Sequence, residues 1–428
     1  MSTLASVGSR LSGTVAIPAS KSHTIRAVAI ASLAAGQSTI RSPLLSDDAL
    51  SAAKCYQSLG ARIDTSDASA WKVDGTGGNV GAPQDIIDVG NSGTTLRIAM
   101  GSAALVGPDS TIEFTGDEQI RSRPVGPLMD SLNDLGAKCH SLNDNGKAPI
   151  RIGGSLSGGR TSIAATTSQY LSSLLLCTPL APRDSEIEVT LLNEPGYVQM
   201  TLDWLDKQGI AYENRDYGAF SVKGGQSYTA FDQAVPADFS SATFFLCAAA
   251  LFGDEVTLLG LDFSDSQPDK EVVDYLQAMG ADITIDADCV VVRGRTLRGT
   301  EIDMNRTPDA LPAMAVAAAF ADGTTSIRNV AQARFKETDR IKCMATELKK
   351  IAVDVEELPD GLIIRGGSVR PAQLHGWADH RIVMALAIAG MGLDQPCQID
   401  TAEAISVTFP NYVELMRKLG AQMELTRE

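Results

Sequence analysis

The chain has 428 residues, 44% of them hydrophobic and 21% charged, enough to bury large cores in two or three domains. A formal charge of −16 excludes a protein that grips nucleic acid through a basic face, though not one that takes a small anion, because local clusters set the field in a cleft. Seven scattered cysteines without a C-x-x-C pair, and only four histidines, argue against a metal site and suit a reducing cytoplasm.

The opening "MSTLASVGSRLSGTV" lacks an apolar core or a long Arg/Ser-rich presequence, so no signal or transit peptide is expected. The longest apolar run, "ATFFLCAAALF", is too short to span a bilayer, so no membrane partner is expected and the predicted location is cytoplasmic.

The predicted elements repeat along the chain. An amphipathic helix ends at Gly60 in "SLGARI", Gly136 in "DLGAKC", Gly209 in "KQGIAY", Gly280 in "AMGADI", Ala352 in "KKIAVDV" and Gly420 in "KLGAQM", at steps of 76, 73, 71, 72 and 68 residues. The glycine reads as a left-handed residue closing each helix, and Ala352 carries a small penalty there. Strands ending in glycine follow several of these phrases: "IRIGGS", "FSVKGG", "VVVRGR" and "LIIRGG". A second kind of helix is apolar nearly all round, as in "RAVAIASLAAG", "SSATFFLCAAALFG" and "HRIVMALAIAGMG", and such helices are interior. Six units of about 70 residues predict an α/β (α+β) fold of βαβαββ-like repeats, grouped as two domains of three units each.

At the start of each interior helix stands a polar cluster: "PASKSHTIR", "GNSGTTLR", "ATTSQY", "PADFSS", "RTPDAL" and "WADHR". Each is a good N-cap by itself. Six in register, several with Lys, Arg or His that a cap does not need, suggest helix N-termini turned toward one anionic ligand. Lys21 and Ser22 open the first of these helices, with Arg26 one turn on. Gly90 and Gly93 let the backbone approach a phosphate, with Asn91 and two threonines as donors and Arg97 one turn in. "EQIRSRP" brings Arg121 and Arg123 together, and "TPDAL" puts Asp309 in a first turn.

"RFKETDRIK" sets Lys336 and Arg340 four apart, where on a helix they would share a face and repel unless an anion lay between them. Its apolar face reads Ile341, Met344, Leu348 and Ile351, which leaves Glu337 and Arg340 off the core side. "ADHR" opens a helix that must be buried with Asp379, His380 and Arg381. The candidate cations are therefore Lys21, Arg26, Arg97, Arg123, Lys336, Arg340 and Arg381, and the candidate acid–base groups Asp309, Glu337 and His380. Many cations, few acids and no cofactor loop point to electrostatic chemistry on a phosphorylated, carboxylated small molecule, with no cofactor.

In order and spacing, "SKSHTIR", "GNSGTTLR", "RSRP", "TSQY", "PDA", "RFKETDR", "DHR" and "TFPNY" resemble the enolpyruvylshikimate-phosphate synthases over essentially the whole chain. The resemblance implies the inside-out α/β barrel of the enolpyruvyl transferases. An upper domain, 19–236, would take shikimate 3-phosphate, and a lower domain, 1–18 plus 237–428, phosphoenolpyruvate. It implies transfer of the enolpyruvyl group of phosphoenolpyruvate to the 5-hydroxyl of shikimate 3-phosphate by addition and elimination, without metal or cofactor, and the anion between Lys336 and Arg340 would be phosphoenolpyruvate.

Carried over to this sequence, the likeness assigns phosphoenolpyruvate to Lys21, Asn91, Gly93, Arg123, Gln169, Arg340 and Arg381. Shikimate 3-phosphate falls to Lys21, Ser22, Arg26, Thr167, Ser168, Gln169, Tyr197, Asp309 and Lys336. Lys21, Asp309, Glu337 and His380 are the implied catalytic groups. Gly93 implies sensitivity to glyphosate, which an alanine there crowds, and a monomer is expected. Four positions depart from the family pattern: "NEPGYV", one residue longer and lacking a usual serine, Val407 in place of a lysine, Gln332 and Ile98. The rival that enolpyruvylates UDP-N-acetylglucosamine resembles this chain less, because the start is Ser-Lys-Ser and no cysteine precedes "RSRP". A catalytically silent anion-binding module is the other alternative, and it would not need Asp309, Lys336, Glu337 and His380 together.

Overall fold

The computed structural model describes residues 2–287 and 289–427. The chain divides into two compact units, Ala19–Val235 and Met1–Pro18 with Pro236–Glu428.

Within Ala19–Val235 the same four-stranded sheet is built three times. Thr111–Thr115 lies parallel to Ile87–Asp88 and antiparallel to Ile150–Gly154, which pairs in turn with Ala137–Ser141. Ser185–Leu192 has Gly159–Ala165, Ala219–Val222 and Tyr212–Arg215 in the same places. Gln37–Arg41 has Ala70–Asp74 and Arg62–Asp64, but its parallel neighbour, Asp232–Ala234, comes from the far end of the unit. In the two repeats whose parallel strands are consecutive, one helix crosses between them, and in all three a further helix leads out to the antiparallel pair.

The other unit repeats this arrangement around Gly253–Leu259, Thr324–Arg328 and Cys397–Ile399. Here the chain's first residues complete two sheets. Ser2–Val7 closes the last one between Cys397–Ile399 and Gln422–Arg427, and Leu11–Ala16 is the parallel neighbour of Gly253–Leu259. The chain therefore leaves this unit after Pro18 and returns at Pro236, so that each repeat finds its missing edge strand.

Two separate cores follow. One surrounds the helices Lys21–Leu33, Gly93–Ala103 and Ser168–Cys177; the other surrounds Phe239–Phe252, Leu311–Ala319 and His380–Gly390. Every residue of Leu311–Ala319 and His380–Gly390 is buried, as their all-round apolar sequences predict. The outer helices bury one face, and each ends on a residue with positive φ: Gly60, Gly136, Gly209, Gly280 and Gly420, with Ala352 at φ 70° in the sixth copy. The sixfold phrase read from the sequence is thus one helix-closing conformation used six times.

Two of the interior helices, Gly93–Ala103 and Ser168–Cys177, are locked close together partway along their length. A Cβ on Gly101 would fall 2.6 Å from Ser173 Oγ, so the bare glycine admits the Ser168–Cys177 helix. Ser173 Oγ donates to Arg97 O at 2.6 Å and accepts from Gly101 N at 3.2 Å. Ile98, a departure from the family pattern, is a core residue on the same helix.

Candidate active site

In the Ala19–Val235 unit, Ser20 caps the first interior helix, whose first residue is Lys21. Lys21 Nζ lies 3.0 Å from Asp48 Oδ2, a buried carboxylate in the helix Asp47–Ser58. Arg26 is buried: Nε donates to Thr201 Oγ1 at 2.9 Å, Nη1 to Ser22 O at 3.0 Å, and Nη2 to Tyr197 O at 2.8 Å and Ser172 Oγ at 3.3 Å. Burial lowers its pKa to about 10. Four of its donor contacts thus tie Ser22 to the Tyr197 segment.

The second interior helix starts at Gly93 with Ser92 as its cap. A Cβ on Gly93 would sit 2.6 Å from Arg123 Nη1 and 2.9 Å from Arg97 Nη1, so two guanidinium groups converge on the bare helix start. Arg97 Nη1 donates to Gln169 Oε1 at 2.7 Å, and Gln169 Nε2 donates to Thr94 Oγ1 at 3.0 Å. Asn91 Nδ2 donates to Asp117 Oδ2 and Gln119 Oε1, both at 2.6 Å, which fixes the turn before the helix. The third helix, capped by Thr167, begins at Ser168 and brings Gln169 to this group. Glu194, which the sequence reading passed over, lies against that helix start: its Oε2 accepts from Ser168 Oγ at 2.7 Å and from Ser168 N at 3.2 Å.

In the other unit the hub is Asp309, in the short turn Pro308–Ala310 before the helix Leu311–Ala319. Its Oδ1 lies 2.8 Å from Arg340 Nη1 and 3.7 Å from Lys336 Nζ, and its Oδ2 lies 3.1 Å from Arg381 Nη2. Arg340 also pairs with Glu337 and with Asp379, whose Oδ2 lies 2.8 Å from Arg340 Nε. Burial alone would lower the pKa of Arg340; the carboxylates of Asp379, Glu337 and Asp309 outweigh it and raise the value. Asp379 is fully buried, caps the helix His380–Gly390 by accepting from Arg381 N at 2.8 Å, and accepts from Thr338 Oγ1 at 3.3 Å. His380 is buried at the start of that helix.

Three readings of this region need correction. The helix begins at Arg340, and Lys336 precedes it as the residue that ends the turn Ala331–Phe335, so the two cations do not share a helical face. Arg340 is not off the core side: its side chain is 1% exposed, because the three carboxylates give a buried guanidinium full charge compensation. Nor are the acids few, since Asp48, Glu194 and Asp379 join Asp309 and Glu337. Asp48 lies in the "SDDAL" capping signal and Asp379 in "ADHR"; nothing in the local sequence of Glu194 shows that its partner is a different helix.

The other departures have local explanations in part. Gln332 is buried and donates to Asn305 O at 2.9 Å, while Val407 ends the turn Ala402–Val407, half-buried. Among the described residues no group of three or more His, Cys, Asp or Glu side chains is arranged to hold a metal ion. No helix among them is long and apolar enough to cross a membrane.

Six repeats of one α/β unit, with cations at several interior-helix starts, are the fold of the enolpyruvyl transferases. The enolpyruvyl transferase NikO from Streptomyces tendae has this fold, at a TM-score of 0.80 and 19% identity over 99% of each chain. An EPSP synthase from Acinetobacter baumannii superposes at a TM-score of 0.84 with 25% identity over 100% of both chains. The profile of the EPSP synthase family (3-phosphoshikimate 1-carboxyvinyltransferase) matches residues 6–416. A 3-phosphoshikimate 1-carboxyvinyltransferase from Acetivibrio thermocellus is 53% identical over 97% of each chain, and one from Ruminiclostridium cellulolyticum 50% over 97% of this chain and 98% of its own. The chain belongs to the EPSP synthase family, transferases of the shikimate pathway to aromatic amino acids. Its activity is transfer of the enolpyruvyl group of phosphoenolpyruvate to shikimate 3-phosphate. These relatives lend no support to a UDP-N-acetylglucosamine acceptor or to a silent binding module.

Proposed function

We propose that residues of both units serve the two substrates. Ala19–Val235 supplies Ser22, Thr167, Ser168 and Tyr197 to shikimate 3-phosphate, with Arg26 positioning Ser22 and Tyr197. Lys21 and Gln169 serve both substrates, and Asn91, Gly93 and Arg123 hold phosphoenolpyruvate with Arg340 and Arg381. Asp309 and Lys336 meet the reacting hydroxyl of shikimate 3-phosphate. The observation that carries this reading is Asp309, a carboxylate set among Lys336, Arg340 and Arg381. It offers a proton acceptor beside cations that suit the carboxylate and phosphate of phosphoenolpyruvate.

In the addition step the 5-hydroxyl oxygen bonds to C2 of phosphoenolpyruvate, its proton passes to Asp309, and C3 takes a proton from Glu337 with help from Lys21. In the elimination step the C2–O bond to phosphate breaks as a proton returns from the new methyl group to Glu337, giving the enol ether and inorganic phosphate. His380, buried at the start of the helix that carries Arg381, is the remaining member of the proposed catalytic set. Bare Gly93 supports sensitivity to glyphosate, a phosphoenolpyruvate-sized anion. Seven free cysteines, six of them buried, support work in the reducing cytoplasm.

The test is phosphate release from phosphoenolpyruvate with shikimate 3-phosphate and, in parallel, with UDP-N-acetylglucosamine. Release with the shikimate acceptor alone, lost in Glu337→Gln and in Lys21→Met, is expected. Release with the sugar nucleotide alone would overturn the assignment of the acceptor.

A further inference from the structure

Glu194 stands in a conformation that glutamate rarely takes. Its backbone is left-handed, φ 59° and ψ 48°, immediately before Pro195 and the helix Pro195–Lys207, and it is 2% exposed. Left-handed backbone is strained for a residue with a Cβ, and a buried carboxylate loses its hydration. The side chain does not cap its own helix. It reaches instead to the start of the neighbouring interior helix, where Oε2 accepts from Ser168 Oγ at 2.7 Å, Ser168 N at 3.2 Å and Thr167 Oγ1 at 3.4 Å. Two hydroxyls, a free backbone N–H and the positive end of a ten-residue helix thus converge on one carboxylate oxygen.

We infer that Glu194 is a resident competitor for the phosphate of shikimate 3-phosphate: its carboxylate occupies the donors of Thr167 and Ser168, and the acceptor's phosphate engages them only as that carboxylate withdraws. This rests on the reading of Thr167 and Ser168 as acceptor-binding residues. The Ser168 hydroxyl and amide each have one proton to give, so they cannot serve two anions fully at once. Two anions within about 4 Å repel strongly in a partly buried setting. Affinity for the phosphorylated acceptor is therefore set by Glu194 as well as by the groups that touch it. The competition is specific to the phosphate, so shikimate itself, which lacks that group, does not feel it.

The experiment is calorimetric titration of wild type and Glu194→Gln with shikimate 3-phosphate and with shikimate. Glutamine keeps the length and the backbone preference of glutamate but removes the charge. The expected result is a Kd for shikimate 3-phosphate lower by about tenfold or more in Glu194→Gln, with the Kd for shikimate changed less than about twofold. Equal or weaker binding of shikimate 3-phosphate by the variant overturns the inference. A crystal structure of the wild-type complex decides the matter without the variant. Phosphate at Ser168 with the Glu194 carboxylate turned away supports the competition; the carboxylate still on Ser168 Oγ with the phosphate elsewhere overturns it. Failure of wild type to release phosphate with shikimate 3-phosphate would instead refute the underlying functional reading.

Discussion

Asp309 Oδ1 lies 2.8 Å from Arg340 Nη1 and 3.7 Å from Lys336 Nζ, so the anion between the two cations of "RFKETDRIK" is a carboxylate of the same unit. A substrate anion arriving there must rearrange an ion-pair network that is already balanced. The three cations Lys336, Arg340 and Arg381 face the three carboxylates Asp309, Glu337 and Asp379.

Asp379 anchors that network at full burial, and removing one partner of a buried pair strands the other. Asp379→Ala is expected to lower unfolding stability by about 3–5 kcal/mol, measured by urea titration. Asp379→Asn keeps an acceptor for Arg381 N and should cost less. A loss below about 1 kcal/mol in the alanine variant would show that Arg340 is held adequately by Asp309 and Glu337 alone.

An alanine at position 93 would push against Arg123 Nη1 and Arg97 Nη1, the far ends of flexible side chains. Gly93→Ala should therefore leave thermal stability nearly unchanged while displacing the Arg123 guanidinium assigned to phosphoenolpyruvate and, beside it, that of Arg97. The KM for phosphoenolpyruvate is expected to rise about tenfold, and the inhibition constant of glyphosate to rise by more. An unchanged KM would remove Arg123 from the assignment.

Ala352 has φ 70° where the other five helix ends have glycine. Ala352→Gly is expected to stabilise the protein by about 0.5–1 kcal/mol, the left-handed penalty less the extra entropy of glycine in the unfolded chain. Gly209→Ala, at φ 68° with open space around its Cβ, should destabilise by a similar amount. Denaturant midpoints of the two variants should move in opposite directions.

Burial pushes the thiols of Cys139 and Cys343 up to about 12, and those of Cys55, Cys177 and Cys247 higher still. Burial raises the phenols of Tyr56, Tyr228 and Tyr412 as well. These groups ionise first in the unfolded chain, so the stability they lend is intact below about pH 8.5 and is lost as pH rises above it. Arg26, lowered by burial to about 10, acts with the opposite sign but only above that pH. Urea midpoints should be flat from pH 7 to about pH 8.5 and then fall. In the native state at pH 8, Ellman's reagent should titrate one thiol of the seven, the half-buried Cys289, and the other six only after unfolding.

Much of the fold was legible in the chain because it is written six times. A helix-closing phrase recurring every 68 to 76 residues cannot be an accident of local composition, and each copy closes an outer helix by the same positive φ. The interior helices were legible because they are apolar on every side. What hid the site's internal pairing was distance along the chain: Lys21 meets Asp48, Arg340 meets Asp379, and Ser168 meets Glu194. The apolar stripe Ile341, Met344, Leu348 and Ile351 puts Arg340 off the core side, and only the remote carboxylates of Asp309 and Asp379 account for its burial.

By itself the sequence determined the repeat, the interior helices and the polar motifs at their starts, since periodicity and capping depend on residues within one or two turns. Only the tertiary structure decided which charges those motifs keep as partners. Ion pairs and hydrogen bonds act through space at about 3 Å, and folding brings carboxylates from remote segments to that distance.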